Sequence, residues 1–132
     1  MKVFLSYRFT DKIYVDQIIN EINTRIKSID FISLDHLKKD WVKQVESLIK
    51  EADVVLFFIG SNTYESKSIH KEYEITKALN KRFYFTELKT DNKSKVFTYH
   101  YFCIDNKALH VANHPQEIID ALCYIDTSKE LL

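Results

Sequence analysis

Apolar residues fall into short unbroken runs, separated by longer stretches in which they recur every three or four positions. Residues 2–7 (KVFLSY) are the first strand-like run. Thr10 or Asp11 can cap the next segment, where Val15, Ile18, Ile19, Ile22 and Ile26 keep one helical face apolar. Residues 30–34 (DFISL) form a second short strand. Leu37, Trp41, Val45, Leu48 and Ile49 then mark an amphipathic helix that ends near Ala52. Residues 54–59 (VVLFFI) are apolar at every position, the pattern of a strand covered on both faces, and Gly60 closes the run. The spacing predicts a third helix from about Ser68 to Asn80, a fourth strand at 82–88 (RFYFTEL) and a fifth at 96–104 (VFTYHYFCI), after a polar loop at 89–95. Pro115 suits the first turn of a last helix, whose inner face is Ile118, Ile119, Leu122 and Ile125; residues 127–132 are predicted to fray.

Strand alternating with helix implies a parallel sheet with helices on both faces. The expected fold is α/β, a flavodoxin-like three-layer sandwich with strand order 2-1-3-4-5, in a single domain spanning residues 1–132. In that order the first and third strands flank the switch point. The loops at 7–11, 35–40 and 60–68 therefore gather at the carboxyl ends of the strands, where open α/β sheets bind ligands.

Composition removes several function classes. Nineteen basic and nineteen acidic residues cancel, so there is no basic excess for nucleic acid or an anionic membrane. No apolar run reaches the roughly 18–20 residues of a membrane span, and the N-terminus lacks a signal-peptide pattern, so a cytoplasmic location is expected. The single glycine excludes a Walker loop and the GxGxxG fingerprint, which need several. Cys103 and Cys123 form no CxxC unit and read as two buried free thiols. His100, His110 and His114 lack metal-ligand spacing, so no metal is expected.

Two segments carry a family resemblance. VFLSYRFTD (3–11) is similar to the opening box of Toll/interleukin-1 receptor (TIR) domains. IGSNTYESKSIHKE (59–72) resembles their later block, in which a strand leads to a serine, an aromatic-hydrophobic pair and a glutamate opening a helix. The resemblance covers about the first 85 residues and is nearest the bacterial branch, including the effector-making proteins of Thoeris antiphage defence. Two positions depart from the pattern: Ser68 stands where tryptophan is common, and the loop LDHLKKDW lacks a glycine.

The resemblance implies an enzyme that cleaves the nicotinamide–ribose bond of NAD, with NAD as substrate and no further cofactor. It places Glu72 at the position of the family's key glutamate. One carboxylate suffices chemically: nicotinamide departs as a neutral molecule, and the carboxylate stabilises the oxocarbenium character left on ribose. Glu74 is the rival, yet it points about 200° around the helix from Glu72, so the two cannot share one site. Glu72 can also be a first-turn residue favoured by the helix dipole. Ser6, Tyr7 and Arg8 end the first strand; Arg8 can pair with a pyrophosphate, and Tyr7 or Phe9 can stack on a base. Asp35, Ser61 and Ser66 complete the expected substrate-binding set, although Ser66 and Ser68 can equally cap the third helix.

The resemblance further implies homo-oligomeric or TIR–TIR assembly and a separate trigger or effector protein. A TIR-like interaction module without catalysis is the alternative, in which Glu72 is a cap. A nucleoside deoxyribosyltransferase, which shares the winding, is a further one. A phosphoacceptor receiver domain fits poorly, since Asp53 begins its strand instead of ending it.

Overall fold

The computed structural model describes residues 1–34, 40–60, 63–88 and 106–124. Within them the sheet is β1 (Lys2–Ser6), β2 (Asp30–Ile32), β3 (Val54–Ile59), β4 (Phe83–Glu87) and β5 (His110–Val111). The helices are α1 (Lys12–Arg25), α2 (Trp41–Glu51), α3 (Lys67–Ala78) and α4 (Pro115–Leu122). All paired strands run parallel in the order β2-β1-β3-β4-β5, so the predicted winding is the one observed.

Side-chain alternation divides the core into two layers. Val3 and Leu5 of β1 and Val54, Leu56 and Phe58 of β3 pack with Val15, Ile18, Ile22, Ile118 and Leu122, which belong to α1 and α4. Phe4, Val55, Phe57 and Ile59 point the other way and pack with Val45 and Ile49 of α2 and Ile69 and Tyr73 of α3. Every residue of β3 is inaccessible to solvent, which is why its sequence shows no alternation.

The helix ends are set by local chemistry. Ser66 caps α3 by accepting the Ile69 N–H at 3.3 Å. At the other end Asn80 takes a left-handed φ of 52°, while Asn80 N–H reaches Lys77 O and Lys81 N–H reaches Thr76 O, both at 3.0 Å. This is a Schellman closure with asparagine in the usual glycine position. Pro115 opens α4 as predicted, and Ile118, Ile119 and Leu122 are buried.

Several expectations need correction. The fifth strand of the described sheet is His110–Val111, paired with Phe85 and Thr86, whereas the run at 96–104 lies outside the described residues. Two residues carry too little periodicity to be read as a strand; only the partner strand identifies them. The second strand stops at Ile32, two residues earlier than its apolar run. Cys123 is exposed, because it follows the last buried residue of α4 and rotates off the inner face; Cys103 falls outside the described residues, as do Leu37 and Ile125.

Candidate functional site

β1 ends at Ser6, in register with Phe57 of β3, at the carboxyl edge of the sheet and beside the switch point. Ser6 lies two residues beyond Phe4, so its side chain leaves the sheet on the face covered by α2 and α3. There the Ser6 hydroxyl donates a hydrogen bond to Glu72 Oε2. Both residues are completely buried.

Glu72 reaches this position because α3 presents Ile69, Glu72, Tyr73, Ile75 and Thr76 inward. Its neighbour Tyr73 is packed among aromatic rings. Tyr73 forms an edge-to-face triangle with Phe57 and Phe83, with ring centroids 5.8–6.1 Å apart. That triangle fastens α3 to β3 and β4. Thr76 Oγ1 donates to the Glu72 carbonyl at 2.7 Å, inside the same helix. Glu74 lies on the opposite face, where its carboxylate is 3.6 Å from Lys71 Nζ and its side chain is 65% exposed.

The loop after β3 is organised around Gly60. Its N–H donates to Thr63 Oγ1 at 2.8 Å, and Ser66 N–H returns to Thr63 O at 2.9 Å, which aims the start of α3. A Cβ on Gly60 would collide with Asp11 Oδ2 and lie 3.0 Å from Asp11 Cγ. Asp11 stands at the N-cap of α1 yet makes no side-chain capping bond; its carboxylate is pressed over Gly60 instead, with Oδ2 buried and unpaired. Burial pushes the Asp11 carboxyl above the usual range, opposed by the nearby Arg8 guanidinium. This contact between the loops after β1 and β3 was not anticipated from the sequence. The lone glycine was the available signal, because a chain with one glycine keeps it where nothing larger fits.

The other predicted site residues spread apart. Tyr7 packs partly buried against the α1/α4 layer, away from Glu72. Arg8 Nη1 pairs with Glu65 Oε2 at 3.1 Å, a half-exposed bridge between the same two loops. Glu65 in turn raises the Tyr64 hydroxyl above its ordinary range through a hydrogen bond and its charge. Phe9 is 77% exposed. Ser66 is occupied as the α3 cap, 3.1 Å from the Ser68 hydroxyl. Asp35 and Ser61 lie outside the described residues. His70, one turn into α3, places Nε2 3.1 Å from Tyr64 O and so ties the helix to the preceding turn.

A separate cleft of about 280 Å³ lies on the other side of the sheet, between α1 and the start of α4, with Tyr14, Ile18, Arg25, Asn113 and Pro115 among its walls. It is remote from the Ser6–Glu72 pair. Among the described residues, no group of three or more His, Cys, Asp or Glu could hold a metal ion, and no helix is long and apolar enough to cross a membrane.

What this arrangement can do follows from its dielectric setting. A carboxylate removed from solvent stabilises an adjacent positive charge better than it would in water. It is suited to a reaction that develops cationic character and poorly suited to binding anions.

Comparison with known proteins places these features in context. The TIR domain family matches residues 3–127. No protein of the curated set matches by sequence. Among solved structures, a CMP N-glycosidase of Clostridium botulinum, BcmB, superposes with a TM-score of 0.59 at 17% identity, covering 92% of this chain and 97% of that one. A fungal multi-domain GH3 β-N-acetylglucosaminidase with a GCN5-related glucosamine N-acetyltransferase region superposes with a TM-score of 0.56 at 15% identity, over 86% of this chain. The match spans only 12% of the fungal chain. At these identities the likeness is one of fold.

Proposed function

Because the chain belongs to the TIR domain family, we propose that it cleaves the bond between nicotinamide and ribose in NAD, with Glu72 as the catalytic carboxylate. The observation that carries this reading is the Ser6–Glu72 pair: a fixed, buried carboxylate at the carboxyl edge of β1, beside the switch point. As the C–N bond breaks, its electron pair leaves with nicotinamide, which becomes neutral, and the ribosyl carbon becomes cationic. Glu72 stabilises that cation. Water then adds and loses a proton to give ADP-ribose, or a nucleophilic atom of the same molecule closes on the carbon and gives a cyclic isomer. The same fold carries an N-glycosidase in BcmB, so breaking a bond between a base and a sugar is within its reach.

The resemblance to bacterial Thoeris-type members extends the proposal: the product is a nucleotide signal in antiphage defence, and a separate protein supplies the trigger or receives the signal. Self-assembly belongs to the same reading. Nicotinamide release from NAD, measured by chromatography at high protein concentration for the wild type, Glu72→Ala and Glu74→Ala, tests it. Release lost in Glu72→Ala and kept in Glu74→Ala is the expected outcome. Loss confined to Glu74→Ala would overturn the assignment of the carboxylate.

A non-catalytic interaction module is the second reading, and a specific feature favours it. Phe9, in the 3-10 turn just before α1, and Ile13, in the first turn of α1, are 77% and 64% exposed, an apolar step suited to a protein partner. Under that reading Phe9→Ser abolishes assembly by light scattering, while Glu72→Ala leaves assembly unchanged and wild-type protein releases no nicotinamide. Base exchange between deoxynucleosides, if present, would instead identify a deoxyribosyltransferase.

A further inference from the structure

We infer that Ser6 is a positioning residue for Glu72 and not a substrate ligand; this rests on the catalytic reading above. The hydroxyl has one proton, and that proton is given to Glu72 Oε2. It is therefore not available for a substrate oxygen while the pair is intact. Both partners are fully buried, so the bond is not exchanged with water as a surface contact would be.

The two ends of this bond differ in stiffness, and the difference gives Ser6 its role. Ser6 stands on a strand in register with Phe57, and its hydroxyl is one bond from Cβ, so its place is fixed by the β1–β3 ladder. The Glu72 carboxylate hangs on three rotatable bonds from a helix. The helix itself is held by the Ser66 cap, the Thr76 bond to the Glu72 carbonyl and the Phe57–Tyr73–Phe83 triangle. These contacts hold the backbone, while the Ser6 hydroxyl holds Oε2 of the carboxyl group. Orientation of a charge matters most where the opposing charge develops, which is the transition state. Ser6 consequently acts on kcat and leaves substrate binding nearly untouched.

The test is steady-state NAD cleavage by Ser6→Ala, with Glu72→Ala and the wild type alongside. Ser6→Ala should lower kcat by about 10- to 100-fold, as for loss of a hydrogen bond to a charged group, with KM within about twofold. Ser6→Thr and Ser6→Val form an isosteric pair that differs in the hydroxyl; Thr should keep most of the rate and Val should lose it. This pair also decides the matter if Ser6→Ala does not fold. A folded Ser6→Ala or Ser6→Val with the wild-type kcat, a loss seen only in KM, or a faster variant would each overturn the inference. If Glu72→Ala still turns over, the catalytic reading itself fails, and the Ser6 inference falls with it. If Glu72→Ala is dead while Ser6→Ala is unaffected, only the Ser6 inference falls. A crystal structure of Ser6→Ala gives an answer independent of turnover. A carboxylate displaced from its wild-type place supports positioning, and one that has not moved overturns it.

Discussion

Gly60 owes its identity to Asp11, a residue 49 positions away that lies over its Cα. No positive φ requires glycine here, so the constraint is one of space alone. Gly60→Ala should destabilise the fold by about 1–3 kcal/mol through overpacking, measured by urea unfolding. In an Asp11→Ala background the obstruction is gone and most of that loss should vanish; additive losses would show that Asp11 is not the obstruction. Asp11 also makes stability depend on pH. Its folded pKa is raised, so the folded state binds the proton more tightly than the unfolded chain does. The stability it contributes is present below the ordinary aspartate range and is lost as pH rises through the folded value. Asp11→Asn, which keeps the shape without the charge, should therefore raise Tm at pH 7, and the gain should shrink as pH falls toward about 4. A gain that grows on acidification would have the wrong sign.

Two adjacent residues at the entry to β4 close two helices on opposite faces of the sheet. Lys81 Nζ donates to Lys50 O and Ala52 O at 2.8 and 2.9 Å, at the carboxyl end of α2. Arg82 Nη2 donates to Ala121 O and Leu122 O, both at 2.7 Å, at the carboxyl end of α4. Neighbouring residues on an extended chain point to opposite sides, and here each side holds the carboxyl end of a helix. A cation at that end also complements the helix dipole. Lys81→Met and Arg82→Met should each lose about 1 kcal/mol in chemical denaturation, since both contacts are partly solvated. The losses should add, because the two helices share no partner in these bonds. Strong coupling between them would mean that the contacts act through β4 and not through the helix ends.

At the scale of the whole molecule the sheet separates two packed layers. The α1/α4 layer holds the fully buried Leu122, whereas the α2/α3 layer holds the Ser6–Glu72 pair. Leu122→Ala and Phe83→Ala should both destabilise the chain by a few kcal/mol, about 2–5, from cavity formation. Under the proposed NAD cleavage, only Phe83→Ala should lower turnover per folded molecule, because Phe83 packs on Tyr73, the neighbour of Glu72. Turnover measured well below each variant's Tm separates the effects; an equal loss in Leu122→Ala would show that the two layers are coupled.

What the sequence determined by itself is whatever local pattern can encode. Six consecutive apolar residues ending in glycine placed β3 to the residue. Helical spacing gave the inner faces of α1 and α4, Pro115 gave the start of α4, and strand–helix alternation gave the parallel order. Each of these follows from spacing within a few residues. The tertiary structure decided what depends on distant partners. His110–Val111 is a strand only because β4 lies beside it. Asp11 had a capping position, but its carboxylate lies instead on a glycine that its own neighbourhood does not contain. Glu72 and Glu74 are both polar positions on one helix. Which of them turns inward is set by how α3 docks on the sheet and by a serine 66 residues earlier, a contact no local pattern contains. The carboxyl edge of the sheet was legible as the place of a candidate site, while the contact between Ser6 and Glu72 there came from packing between segments far apart in the chain.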